Sequence, residues 1–241
     1  MSGIFWYTGC MRARRMLAVG AVTVALLTVT ACTAAPHPSP STQEAAMTEA
    51  TRDLLAAAED GDAIAVQTAI DEGADIEARG SGGMTALVAA TKANHVDAAR
   101  ALIEAGADVN AKDDIQDSAY LYAGARGHDE ILRLTLDNGA DLASTNRFGG
   151  TALIPASERG LLATIEILLE AGVDPNHIND LNWTALHEAI VLGDGSSTYV
   201  DVVRALLDGG ADSGIPDGDG VLPVDLAKAR GYDAIVAELE R

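Results

Sequence analysis

His187 and Glu188 stand side by side in "NWTALHEAIVLGDGSSTYVD", residues 182–201. On a helix, such a pair is half of the H-E-x-x-H arrangement. There a second imidazole one turn further on completes a zinc site, and the glutamate acts as general base. Position 191 is Val, so the second ring is absent, and His37, His95, His128 and His177 stand elsewhere in the chain. No metal site is expected. The following "GDGSS", residues 193–197, lacks the G-x-x-x-x-G-K spacing and the lysine of a phosphate loop. No Ser-His-Asp grouping stands out by spacing. With 36 Asp and Glu residues, choosing any two as acid and base would be arbitrary. The expectation is therefore no enzyme, no catalytic residue and no cofactor.

If these residues do no chemistry, the elements that carry them must explain their types. The 241 residues bear a formal charge of −20, and only 4% are aromatic while 48% are hydrophobic. An apolar fraction made of Ala, Leu, Val and Ile favours helices and a thin, layered core. Residues 1–31 contain no Asp or Glu and three arginines, Arg12, Arg14 and Arg15. The remainder is thus more acidic still and repels nucleic acid and anionic headgroups. No nucleic acid partner is expected.

Residues 11–32 read "MRARRMLAVGAVTVALLTVTAC". A cationic stretch, an apolar run and small residues in that order form a secretory signal peptide, placed at 1–31. The end, "VTAC", resembles the bacterial lipobox, which implies cleavage before Cys32 and acylation of its thiol. The acyl chains would hold the protein on a bacterial membrane, facing the periplasm or the cell surface, because each buried methylene contributes about 0.8 kcal/mol. Cys10 and Cys32 are the only cysteines, so a processed chain makes no internal disulfide. "MSGIFWYTGC" is unusual before a signal, and Met11 is the expected start. Residues 32–50, rich in Pro, Ser, Thr and Ala, read as a flexible tether.

The rest of the chain repeats. "GAD" or a near variant begins at Gly73, Gly106, Gly139, Gly172 and Gly210, and a second mark begins at Thr85, Ser118, Thr151, Thr184 and Leu222. Both run at spacings of 33, 33, 33 and 38. Two marks in one register at a fixed period mean a stacked array. Thr85, Thr151 and Thr184 are placed to cap a first helix with their hydroxyls. Second helices are expected to bury Ile131, Leu134 and Leu136 in one unit, and Ile165, Leu168 and Leu169 in the next. The glycine of each "GAD" would end that helix in a left-handed turn.

The pattern resembles the ankyrin repeat family, D-x-x-G-x-T-P-L-H-x-A-A-x-x-G-H…L-L-x-x-G-A-D-x-N. "GGMTALVAATKANHVDAARALIEAGADVNAK", residues 82–112, is the best match. A tetratricopeptide array, with period 34 and Trp/Tyr marks, fits poorly. The resemblance implies an all-α repeat solenoid, an ankyrin array of helix-turn-helix units joined by β-hairpin-like loops. Its divisions are a cap at 51–79, repeats at 80–112, 113–145, 146–178 and 179–216, and a cap at 217–241. The chain departs from the pattern where Ala86, Ala119, Ala152 and Ala185 replace the motif proline. Only His187 keeps the motif histidine, and the family role of that ring is to bond backbone between units. Pro155, in the fourth position of a first helix, should bend it mildly. The longer run around "DSAYLYAGARGH" and "STNRFGGTALIPASERG" is similar to exported bacterial ankyrin proteins.

The resemblance implies a monomeric, non-enzymatic module that binds a protein partner, or alternatively an immunity or chaperone-like protein for an exported enzyme or toxin. Family binding surfaces are loop tips and the exposed face of first helices. By register these give Asp114, Asp117, Arg147, Phe148 and Trp183 at tips, and Tyr122, Arg159 and Glu188 on helix faces. Ile115 and Leu181 are also tip positions, and Tyr120 is expected to pack inside. The five extra residues before Gly210 enlarge a loop at Gly193–Tyr199, adding Asp194 and Tyr199 as candidates.

Overall fold

The computed structural model describes residues 47–241. The signal peptide, Cys32 and nearly all of the tether fall outside the described residues. Twelve α-helices follow in six pairs: α1 Glu49–Asp60 with α2 Ala63–Asp71, α3 Ala86–Lys92 with α4 Val96–Glu104, and α5 Ala119–Arg126 with α6 Asp129–Asp137. Then come α7 Leu153–Glu158 with α8 Leu162–Glu170, α9 Ala185–Val191 with α10 Ser197–Asp208, and α11 Pro223–Arg230 with α12 Asp233–Leu239. The folded array begins with a helix at Glu49, two residues before the expected boundary, because Thr48 caps it by accepting from the Thr51 amide.

Odd-numbered helices pack on one another in one layer and even-numbered helices in a second. The first layer is nearly all interior: Ala86, Leu87, Val88, Ala89, Ala90 and Thr91 of α3 are all buried. Alanine at half of those positions lets backbones approach closely, and the leucines fill what remains. One close approach joins α5 to the start of α7. A Cβ on Gly124 would sit 2.8 Å from the Ala152 Cβ, so only glycine fits there. In α6 the fully buried residues are Ile131, Leu132 and Thr135, whereas Leu134 and Leu136 are half-buried. Leu132 thus takes the inward position expected of Leu134. Ile165 and Leu168 are buried as expected, and Leu169 only half so.

Each even helix except the last stops in the same way. Gly73, Gly106, Gly139, Gly172 and Gly210 adopt φ between 84° and 95°. The next amide then reaches back five residues, as from Ala107 to the Leu102 carbonyl at 3.0 Å. That bond satisfies a carbonyl the helix would otherwise leave open.

Helix starts are less uniform than expected. Thr85 and Ser118 cap α3 and α5 by accepting from Val88 and Leu121 amides. Thr151 does not cap α7, and its Oγ1 is buried without a partner. Pro155 is the cause. It has no N–H to give the Thr151 carbonyl, so Ile154 N–H takes that carbonyl at 3.2 Å instead of the hydroxyl. The helix therefore starts late and is cut to six residues, a larger effect than a mild bend.

The connections expected to resemble β-hairpins contain no strand among the described residues. Each is a compact turn closed by one backbone bond between its first and fifth residues, such as Asn146 N–H to the Gly150 carbonyl at 2.9 Å. The extra five residues near 193–199 do not form an open loop either. Their C-terminal part lengthens α10 to twelve residues, against nine for α8.

Candidate functional site

The turn at 113–117 shows how a tip is built. The Asp113 carboxylate accepts from the Ile115 and Asp117 amides at 3.0 and 2.9 Å, and Gln116 adopts φ 67°. Asn146 does the same for Phe148 and Gly150, and Asn179 for Leu181 and Trp183. Because the turn residue's side chain occupies the inner amides, the third residue of each turn is pushed outward. Those residues are Ile115, Phe148 and Leu181, exposed by 47%, 57% and 59%. They are spaced 33 residues apart, so they recur in register along one edge of the stack. At the ends of this row the equivalent positions are Gly82 and Asp219, and the apolar character stops. Adjacent tips are tied together where Asp114 N–H meets the Gly82 carbonyl at 3.0 Å and Asp180 N–H meets the Phe148 carbonyl at 3.1 Å.

Arg147 lays its guanidinium 4.6 Å from the Phe148 ring centroid, which orders both side chains before any partner arrives. Asp114 is exposed beside them, whereas Asp117 is half-buried and lies 3.5 Å from Lys92. Trp183, expected as an exposed anchor, is half-buried at the foot of its turn, and its backbone N–H and C=O both serve to close it. Leu181, two residues earlier, holds the outward position. The row Ile115–Phe148–Leu181 was readable from the repeat register.

On the helix faces, Tyr122 is half-buried between Lys92 and Arg126, which stand 5.4 and 5.5 Å from its ring centroid. Lys92 also pairs with the buried Asp113 at 2.5 Å, fixing the tip turn to the helix of the preceding unit. Arg159 is exposed as expected. Glu188 is not: only 5% of it is accessible, and Asn179 Nδ2 donates to it at 2.8 Å. Burial, reinforced by the nearby Glu158 carboxylate and opposed by the Asn179 bond, pushes its carboxyl up to about 7. Its role is inside the array, holding the 179–183 turn through Asn179, rather than on an open face.

His187 is fully buried. Its Nδ1 accepts from the Thr184 amide at 3.1 Å and meets the Thr184 hydroxyl at 2.9 Å, so it caps its own helix. Nε2 makes no well-formed hydrogen bond, although Val221 of the next unit lies beside it. Burial lowers the ring's proton affinity, while Asp217 and the Val221 backbone pull the other way. The ring is thus a neutral structural group that caps its own helix and sits against the Val221 backbone of the next unit.

Asp194 is exposed, and the Ser196 hydroxyl together with the Ser196 amide, which donates at 2.9 Å, holds its carboxyl below the usual range. Tyr199, expected in an open loop, is half-buried and donates its hydroxyl to the Glu158 carbonyl at 2.8 Å. It occupies the register of His95 and His128, whose rings bond the Glu59 and Thr91 carbonyls. All three satisfy the C-terminal carbonyls of the first helix in the preceding unit, a service the carbonyls need wherever the helix stops. Among the described residues no group of three His, Cys, Asp or Glu side chains is arranged to hold a metal ion.

Paired helices in two layers, joined by tight turns that present one edge, define a stacked-repeat binding scaffold. The sequence profile described as Ankyrin repeats (3 copies) matches residues 39–113 and 120–217, and the chain belongs to the ankyrin repeat family. It is similar to the crystal structure of an ankyrin repeat domain from Acinetobacter baumannii AYE. That likeness has 53% identity and a TM-score of 0.76, over 78% of this chain and 95% of that one. It is also similar to the crystal structure of the ankyrin repeat protein EF0377, at 39% identity and a TM-score of 0.77, over 80% of this chain and 99% of that one. No curated protein matches the chain.

Proposed function

We propose that this protein binds a protein partner along the row Ile115–Phe148–Leu181, does no catalysis, and is held outside the cytoplasm by a lipid on Cys32. One observation carries the binding reading: three large apolar side chains stand exposed, in register, on turns whose backbones are rigidly closed. A row of this kind presents contact area already ordered, which reduces what association must overcome in entropy. Arg147 stacked on Phe148 supplies the aromatic-and-arginine combination found at interface hot spots. Asp114 and Asp180 border the row, and the chain is strongly acidic. The partner that fits is a protein face with apolar contacts rimmed by Lys or Arg.

The test is recovery of partner from membrane extracts by wild type and by Phe148→Ala/Leu181→Ala. Loss of one defined partner with an unchanged fold is expected. Equal recovery by both would count against the row. The anchoring reading rests on "VTAC" at 29–32 behind the apolar run. Cys32→Ser should abolish incorporation of a fatty-acid probe and release the protein from membranes, and continued retention would overturn it.

A further inference from the structure

The units are stitched to one another by polar bonds at three recurring places, and one joint lacks the first two and keeps only a long side-chain bond at the third. The first place is the start of the even helices. His95 reaches Glu59, His128 reaches Thr91, Tyr199 reaches Glu158 and Tyr232 reaches the Gly193 carbonyl, but the equivalent residue of unit 146–178 is Leu161, which has no polar atom to offer. The second is the loop after each "GAD". Asn110 accepts from the Asp141 amide at 2.8 Å and donates to the Gly139 carbonyl at 3.0 Å. Asn176 does likewise with Asp212 and Gly210, and Glu77 accepts from Asp108. The equivalent residue between units 113–145 and 146–178 is Ala143. The third is the tip. Asp114 and Asp180 amides bond the preceding tips, whereas across this same joint only the Arg147 side chain comes within 3.5 Å of the Ile115 carbonyl.

One short bond does cross the joint, from the Thr164 hydroxyl to Asp129 at 2.6 Å. On the first-helix side the joint is a close contact, Gly124 against Ala152. A close apolar pivot on one side and missing bonds on the other are the two parts of a hinge. We infer that the joint between units 113–145 and 146–178 is the flexing point of the array, dividing it into two stitched blocks that pivot about Gly124–Ala152. The joint falls between Ile115 and Phe148. Bending there therefore changes the spacing of the exposed row and lets one array fit partner faces of different curvature. The hinge stands without the binding row, whereas its consequence for partner fit rests on that row.

The experiment places pairs of spin labels on exposed positions of even helices in the full chain, with Cys10 and Cys32 replaced by serine. Arg100 and Glu166 span the joint, and Gln67 and Arg133 span two stitched joints over an equal number of units. The Arg100–Glu166 distance distribution should be roughly twice as broad as the control, as expected where fewer bonds restrain a local motion. Ala143→Asn, which restores the residue found at 110 and 176, should narrow it to the control width. Equal widths in the unaltered pairs, or a broad distribution that Ala143→Asn leaves unchanged, overturns the hinge. The comparison of the two unaltered pairs stands whether or not the variant folds.

Discussion

The tip at 146–150 and the stretch at 193–199 are both rich in glycine, both border an aromatic residue, and meet opposite fates. In the first, Asn146 satisfies the inner amides of its own turn, so Phe148 is left outside with Arg147 stacked on it. In the second, the end of α7 has a carbonyl in need of a donor, and Tyr199 folds down to supply it. An aromatic residue beside a turn becomes surface or scaffold according to which backbone groups nearby are still unpaired. The same rule separates Leu181 from Trp183 within one turn: the residue whose backbone closes the turn is drawn inward, and its neighbour two positions earlier is not.

The comparison breaks most clearly at the tips. Phe148→Ala/Leu181→Ala should weaken partner binding at least about 100-fold, roughly 3 kcal/mol, while unfolding in urea moves by under about 0.5 kcal/mol. A large stability loss would show that the row is scaffold. Tyr199→Ala should do the reverse, costing about 2–3 kcal/mol in urea titration through lost packing and an orphaned Glu158 carbonyl, with affinity for the partner retained.

Glu188 sharpens the contrast by pH. Its folded carboxyl, pushed up to about 7, binds its proton more tightly than in the unfolded chain. Its contribution is therefore complete below about pH 4.5 and is lost as pH rises towards 7. Glu188→Gln should consequently be more stable than wild type at pH 8 by about 1–2 kcal/mol, with the difference vanishing near pH 4. Urea titrations at the two pH values check this, and a constant difference would contradict it. The smallest effect is expected at Asp194, which is exposed and bonds only the neighbouring Ser196. Asp194→Ala should lower the melting temperature barely measurably and leave partner binding unchanged.

Much of the architecture was legible in the sequence because a stacked array writes its own period. Thr85 as a cap and the "GAD" glycines as left-handed stops follow from local rules, and the structure bears both out. The errors came where two local rules competed. Thr151 fits a cap by type, yet Pro155 removes the amide that would have left its hydroxyl free to cap. Leu134 fits the helical period, yet Leu132 is the leucine that is fully buried. Repeat register puts Glu188 on an open face and the lengthened period puts Tyr199 in an open loop, but neither signal says what the adjacent unit needs.

The sequence by itself determined the repeat, its period, the helix pairs and the glycine turns that end them. These depend on hydrophobic period, caps and glycine, which act over a few neighbouring residues. Only the tertiary structure decided which tip side chains face solvent, which polar groups are buried between units, and where the polar stitching stops. Those outcomes rest on bonds between residues some 30 to 40 positions apart, such as Tyr199 with Glu158 and Asn110 with Asp141. No local pattern specifies such bonds, because each depends on the unpaired groups of a second unit as much as on its own.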